Sequence, residues 1–452
     1  MRKKFVLSLF GVFAALAVLY GIWWLLPRER NADVVTDAYR ATNEWLEKSH
    51  SLAEDPGKNG FINPTFLPYW GRKGIEHKED SEAGEIVVAW QNYSTPSADS
   101  TVDHKALLEQ KDEGYTKALD GMKKVAPDLR EAMDKSLFAP PKFELRADAV
   151  IPNLIAARAC AQAMVGLAES EVAQGEVEQA AEDLVSVVSF GAGLIGHCGF
   201  MVDMVGVGIE DIGVNGFNGL IDINSNLPAD TWKSLSQKML NCEPPKEMIL
   251  RAMQSEMLFC HNSIEYFKEN PDWISEEIKY SPFAALPGFF SREERIYNNV
   301  MSDLILQYQG KGTLDLPKEL LEPSNTDWFT GRTGSLTGLM VQDFGRSKGR
   351  LEVSRKRLIA TSTAAGIAAY RAQEGKLPET LAQLPEAGIP LTDDKEWLST
   401  MEYEARGDSA TLKVRIQDSP AEFAPLMRGD WEHPWLETTN EHLTYSFGPV
   451  KK

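Results

Sequence analysis

Residues 148–190 read DAVIPNLIAARACAQAMVGLAESEVAQGEVEQAAEDLVSVVSF, and this stretch decides the fold class. Small and apolar residues dominate up to Ala173, a turn follows at Gln174–Glu176, and apolar residues then recur at helical spacing from Val177 to Val188. The alanines permit close approach of two helices, as in tetratricopeptide-type hairpins. The stretch therefore predicts an antiparallel αα-hairpin, and because only one such unit is found, a regular repeat array is not predicted.

The rest of the chain is predicted to be mainly α, with a small α/β module at its C-terminal end. The predicted segments are an N-terminal membrane anchor at 1–30, a helical and irregular collar at 31–139, an all-helical body at 140–309, a linker or long loop at 310–348, and a helix plus a small antiparallel sheet at 349–452. Three strands are predicted in the last segment, at Met401–Ala405, Thr411–Ile416 and His442–Phe447, with a turn at Gly407-Asp408 between the first two.

Two further expectations concern helices. The helical pattern from His104 to Phe138 is expected to break at Pro127, because proline removes a backbone donor. The apolar segment from Pro282 to Phe290 is expected to fill core space beneath a loop, with an exposed docking patch or contact with the bilayer surface as the alternative.

The N-terminus has the pattern of an uncleaved membrane anchor. Arg2, Lys3 and Lys4 precede an uncharged apolar run over residues 5–26, which is long enough to span a bilayer and is followed by no small-x-small cleavage site. The basic start favours a cytoplasmic N-terminus. We therefore expect a single-pass protein of the inner (cytoplasmic) membrane, with residues 5–26 in the bilayer and the bulk of the chain extracytoplasmic or periplasmic.

The net charge of the chain restricts the classes of partner it can bind, and its cysteines raise the question of disulfide bonds. A net charge of −19 argues against nucleic acid as a partner, because nucleic-acid binding needs a basic surface. An oxidising compartment would allow disulfides, while buried free thiols are the alternative, and the sequence does not choose a pairing. The cysteines concerned are Cys160, Cys198, Cys242 and Cys260.

One motif matches a dinucleotide-binding fingerprint in letters only. Gly191–Gly196 reads GAGLIG, and Glu210 follows nineteen residues after the first glycine. The fingerprint requires a preceding strand and a following helix, whereas the preceding residues continue an amphipathic helix and Gly199, Gly206 and Gly208 leave little room for a helix after it. We therefore interpret these glycines as helix-packing positions and expect no cofactor.

The sequence assigns no catalytic residue and no metal ligand. Two adjacent donor pairs, His197-Cys198 and Cys260-His261, would form a four-ligand zinc site if they met, but neighbours on a helix point about 100° apart and chelate poorly. No sequence signature of a hydrolase, a metalloprotease or a phosphate-binding loop is present.

Two stretches carry a resemblance to known proteins. Residues 140–271, including AQGEVEQAAEDL at 173–184 and VGVGIED at 205–211, resemble uncharacterised membrane-anchored helical proteins of planctomycete-like bacteria. The ending, with AAYR at 368–371 and EGKLPETL at 374–381, is similar to the head region of type II secretion pseudopilins, which implies a helix leading into a small sheet. The chain differs from pseudopilins in that more than three hundred residues separate the anchor from this head, and the prepilin-peptidase site is missing.

These observations favour a non-enzymatic envelope scaffold or assembly factor that binds other envelope proteins. The first alternative is an extracytoplasmic hydrolase that uses carboxylates or a metal held by His197, Cys198, Cys260 and His261. The second alternative is an accessory protein of a secretion or pilus system.

Overall fold

The computed structural model describes residues 31–70, 81–94, 103–139, 145–146, 153–196, 199–244, 247–270, 289–311, 344–415, 436–438 and 442–448. These residues are mainly helical, with a small antiparallel sheet near the C-terminus. The helices are α1 (Ala32–Ala53), α2 (Leu67–Trp70), α3 (Glu82–Ser94), α4 (His104–Gln110), α5 (Glu113–Met133), α6 (Leu154–Gln174), α7 (Val177–Leu194), α8 (Phe200–Leu220), α9 (Ala229–Asn241), α10 (Met248–Glu269), α11 (Phe289–Tyr308), α12 (Phe344–Glu374), α13 (Gln383–Glu386) and α14 (Lys395–Leu398). The strands are β1 (Met401–Arg406), β2 (Ser409–Arg415), β3 (Leu436–Thr438) and β4 (His442–Phe447), and a 3₁₀ turn covers Gly60–Ile62.

The chain divides into two compact units, each built from separate segments. The first unit consists of Met1–Trp45, Glu144–Ala149 and Ile249–Gly345, and its described part contains most of α1 and α10 together with α11. The second unit consists of Leu46–Phe143, Val150–Met248 and Arg346–Lys452, and it contains α2 to α9, nearly all of α12, and the sheet.

Helices α6 and α7 form the predicted hairpin in the second unit. The side chain of Asn153 accepts a hydrogen bond from the Ala156 N–H at 3.0 Å and so caps the start of α6. The helix ends at Gly175, whose φ of 84° is left-handed and costs glycine no strain. The small residues of α6 are buried, which confirms that they lie at helix contacts.

Glycines let α7 and α8 pack closely. A Cβ atom on Gly191 of α7 would lie 2.5 Å from the backbone N of Glu210 and 2.6 Å from the Gly206 carbonyl O, both on α8. A Cβ atom on Gly213 of α8 would lie 2.8 Å from the backbone N of Val188. The helix-packing interpretation is confirmed, but the expectation that glycines prevent a helix after Gly196 is wrong. Burial of their close contacts offsets the weak helix propensity of glycine in α8.

The break in the helical pattern after His104 lies earlier than expected. Lys111, with a left-handed φ of 53°, ends α4, and the Asp112 side chain accepts a hydrogen bond from the Tyr115 N–H at 2.7 Å to cap α5. Pro127 lies inside α5, where it loses one backbone hydrogen bond without ending the helix. The expected break at Pro127 is wrong because the side chains beside it, including Ala126 and Leu129, are buried.

The C-terminal sheet is antiparallel throughout, in the order β1-β2-β4-β3. The three predicted strands are confirmed, as is the turn between β1 and β2, where Gly407 has a φ of 63°. The three-residue strand β3 was not predicted. Alternate residues of β2 and β4 are buried, and these are Ala410, Leu412, Val414, Leu443, Tyr445 and Phe447.

One buried core connects the helices of the second unit with its sheet. It includes residues from α6 to α9, from α12 and from β2 and β4, such as Leu184, Phe217, Trp232, Ala368 and Leu412. A polar contact reinforces this core: the Tyr445 hydroxyl lies 2.8 Å from Thr361 Oγ1 and 3.3 Å from Asn218 Oδ1. The C-terminal module is therefore packed against the helical body of its own unit.

Several expectations fall partly or wholly outside the described residues. These are the anchor at 1–30, Cys198, the apolar segment before Phe289, and residues 312–343 of the predicted linker. Within the part of the chain that the structure describes, no helix has both the length and the apolar character needed to cross a membrane. Cys160, Cys242 and Cys260 are buried free thiols.

Candidate functional site

A cleft of the second unit lies where three helices end. Residues from the C-terminal ends of α5, α7 and α9 and from the segments just beyond them line a cavity of about 470 Å³. Its charged side chains are Asp134, Lys135, Lys238 and Glu243. Helix C-termini carry partial negative charge, so the lysines stabilise the helix ends that form the cleft.

The glycine motif of α7 forms one wall of this cleft. Phe138 N–H donates a hydrogen bond of 2.7 Å to the Gly193 carbonyl, and a Cβ atom at Gly193 would lie 3.2 Å from the Lys135 carbonyl O. The segment after α5 thus lies directly on α7. In the described residues a helix precedes the motif, so the strand that a dinucleotide fingerprint requires is replaced by α7.

Cys242 is a potential nucleophile by residue type, and its environment keeps it protonated. Its Sγ lies 3.5 Å from Ser189 Oγ and donates to the Lys238 carbonyl O at 3.2 Å. Burial raises the pKa of the thiol to about 12. Since the thiolate is the reactive form, Cys242 lines the cleft as an unreactive polar side chain at neutral pH.

A buried ionic cluster links α5, α6 and α7 beside the hairpin turn. Arg130 binds Asp183 through both Nε and Nη2, the second contact being 2.9 Å, and its Nη2 also lies 3.4 Å from Glu171 Oε1. Burial, followed by repulsion from Asp183, raises the pKa of Glu171 to about 8. One arginine therefore neutralises one carboxylate, and the other carboxyl group retains its proton at neutral pH.

A second polar chain joins α4, α5 and α6. Tyr115 hydroxyl donates to Ser170 Oγ at 2.9 Å, and His104 contacts both the Tyr115 hydroxyl at 3.0 Å and Glu169 Oε2 at 2.9 Å. The arrangement resembles an acid–base–hydroxyl relay in composition. Its histidine is only 5% exposed and its serine is fully buried, so the chain fixes three helices and presents no nucleophile to a substrate.

Of the four residues considered for a zinc site, the structure describes Cys260 and His261, and it places them in different surroundings. Cys260 is 1% exposed, and burial, with the carboxylates around it, raises the pKa of its thiol well above the usual value. Its neighbour His261 is half-buried and hydrogen-bonds to Glu294 of α11 at 2.5 Å. His197 and Cys198 lie outside the described residues. Successive residues on α10 point apart, as helical geometry requires.

Sequence reasoning missed the ionic cluster and the partners of His261. Arg130 is 41 residues from Glu171 and 53 from Asp183, so no short motif joins them. One signal was present for the second group: His261 and Glu265 are four residues apart and therefore share a helix face. Comparison with protein-family models, with curated proteins and with solved structures finds no match to this chain.

Proposed function

We propose that the protein is a membrane-anchored envelope scaffold or assembly factor that binds other proteins and has no enzymatic activity. The observation that carries the proposal is the continuous core of the second unit, which joins the helical hairpin, α8, α9, α12 and the sheet. Such a core gives a rigid surface, which lowers the entropic cost of binding a partner. The interior ionic and polar groups described above support the same role, because they fix helices relative to one another.

Two exposed apolar side chains offer positions at which to look for the partner. Ile155 and Met201 are 53% and 64% exposed, among the most exposed large apolar residues of the described chain. They lie at the beginnings of α6 and α8, and because α7 reverses the chain direction between these helices, both lie at one end of the hairpin. Exposed methionine is well suited to protein contacts, since its side chain adapts to many surfaces.

Site-specific photocrosslinking in intact cells tests this proposal. A photoreactive amino acid replaces Met201 or Ile155 in the full-length chain, and the matched control carries it at Glu176, which is exposed at the hairpin's opposite end. We expect a discrete crosslinked partner from the Met201 and Ile155 positions and none from Glu176. Repeated recovery of the protein alone from all three positions would contradict a scaffold function.

A further inference from the structure

Three metal-ligating side chains converge on the surface of the first unit. His261 and Glu265 lie one turn apart on α10, and Glu294 lies opposite them on α11. One nitrogen or oxygen atom from each residue lies within 4.8 Å of the corresponding atoms of the other two. The group is independent of the cleft and of the ionic cluster in the second unit.

From this arrangement we propose that His261, Glu265 and Glu294 bind one divalent transition-metal ion, for which Zn²⁺ is the best match. One imidazole nitrogen and two carboxylates are a ligand set that zinc accepts, and three protein ligands leave the fourth tetrahedral position for water. Carboxylate ligands alone would favour Mg²⁺ or Ca²⁺, whereas imidazole shifts the preference toward zinc and its neighbours in the first row.

The required movements are small. Ligand atoms about 2.0–2.2 Å from a tetrahedral zinc ion are roughly 3.3–3.6 Å apart. His261 Nδ1 and Glu294 Oε1, now 2.5 Å apart, would have to separate by about 1 Å to admit the ion. Glu265 is exposed, and rotation toward them requires only that its surface ion pair with Lys268 opens.

The imidazole of His261 is held in place by the ring of Tyr39. The ring of Tyr39 stacks on that of His261 with centroids 5.1 Å apart, and the Tyr39 hydroxyl exchanges hydrogen bonds of 3.2–3.3 Å with the Asn298 amide on α11. The stack limits rotation of the His261 ring and so keeps its orientation fixed for a ligand role. His261 remains 36% exposed, which leaves an entry path for the ion.

The electrostatics of the site favour a cation. The carboxylates of Glu294 and Glu265 both lie near the His261 imidazole, and the cation of Lys268 pairs with Glu265. The competing contact is the ion pair between Lys268 and Glu265, which is exposed on both sides and so gives little stability.

Metal binding by the full-length chain tests the proposal. The tag-free protein is purified in mild detergent, treated with a chelator and titrated calorimetrically with Zn²⁺ near pH 7, alongside Glu265→Gln, Glu294→Gln and the control Glu269→Gln, whose side chain is exposed at the end of α10. We expect one zinc ion per chain, with affinity at least tenfold weaker in the first two variants but unchanged in the control. Absence of binding, or equal binding by all variants, would overturn the proposal.

Cobalt substitution distinguishes this ligand set from a site containing cysteine. Co²⁺ in a site of nitrogen and oxygen donors gives visible ligand-field bands, and a thiolate ligand adds an intense charge-transfer band in the near ultraviolet. We expect the former without the latter. A thiolate band would contradict this ligand set and would show that Cys260 or Cys198 binds the metal instead. Circular dichroism of Glu265→Gln verifies folding, and its exposed side chain makes unfolding an unexpected result. Failure of the scaffold experiment would leave this proposal unaffected, because its readout is metal binding.

Discussion

At the scale of single residues, the unusual chemistry of this protein lies in carboxyl groups placed inside helix contacts. Glu171 and Asp183 are 2% and 0% exposed and share Arg130 as their cation. Full ionisation of both would leave one buried negative charge without compensation, which is costly. The cluster therefore holds a proton that the unfolded chain releases, and this makes stability depend on pH.

The dependence has a defined sign. The folded-state pKa of Glu171 is about 8, compared with 4.5 for the free side chain, so between these values the folded state binds more protons than the unfolded state. The contribution of Glu171 to the free energy of unfolding is largest below about pH 4.5. It decreases as pH rises toward 8, by up to about 1.4 kcal/mol per pH unit. Asp183, whose pKa is also raised by burial, contributes in the same direction.

Replacing Glu171 by glutamine tests this relation. Glutamine has the shape of the protonated acid and cannot ionise. The free energy of unfolding of Glu171→Gln should therefore rise relative to that of the wild type between pH 5 and pH 8. The exposed Glu109→Gln on α4 serves as the control and should keep the wild-type slope. Urea denaturation at each pH measures both. Parallel pH profiles for Glu171→Gln and the wild type would show that Glu171 is ionised in the folded protein.

At the scale of elements, the sequence predicts those structures whose signal is local. The alternation of apolar residues in the strands and the small-residue pattern of α6 are properties of short windows, and both are confirmed. Helix α8 lies within the body predicted as all-helical, yet its glycines argued against a helix after Gly196 because glycine has low helix propensity, and only the approach of α7 shows why they are tolerated. Helix α3 lies in the predicted helical and irregular collar, without bounds of its own, and a contact distant in sequence holds it: its buried Trp90 donates to the Ala163 carbonyl on α6, 73 residues away.

A pair of glycine substitutions separates close packing from helix propensity. Gly191→Ala places a methyl group 2.5 Å from the Glu210 backbone N, and we expect it to destabilise the protein by about 1–3 kcal/mol. Gly121→Ala on α5 meets Ile86, with Cγ2 at 3.5 Å and Cγ1 at 3.7 Å, both ordinary contacts, and should stabilise by about 0.5–1 kcal/mol through helix propensity. Thermal unfolding of both variants measures the signs. Equal changes in stability would mean that α7 and α8 do not pack closely at Gly191.

At the scale of the whole molecule, the second unit combines segments that are far apart in sequence. Its core takes residues from the hairpin near position 170 and from the last strand near position 445. Local sequence patterns predicted a separate body and C-terminal module, since nothing in a short window indicates that β2 and β4 bury their apolar faces against helices. A shared core has a thermodynamic consequence, because elements that bury the same surface lose it together when they unfold.

Leu412→Ala provides the measurement of that cooperativity. Leu412 is fully buried at the centre of β2, and the cavity left by its truncation should cost about 2–5 kcal/mol. If the core is continuous, amide hydrogen exchange should accelerate equally in β2, α7 and α9, because all three open in the same global transition. Glu402→Ala on the exposed face of β1 is the control and should change exchange little. Faster exchange confined to the sheet would instead define the C-terminal module as an independently unfolding part, and the rigid surface on which the scaffold proposal rests would then be limited to the helices.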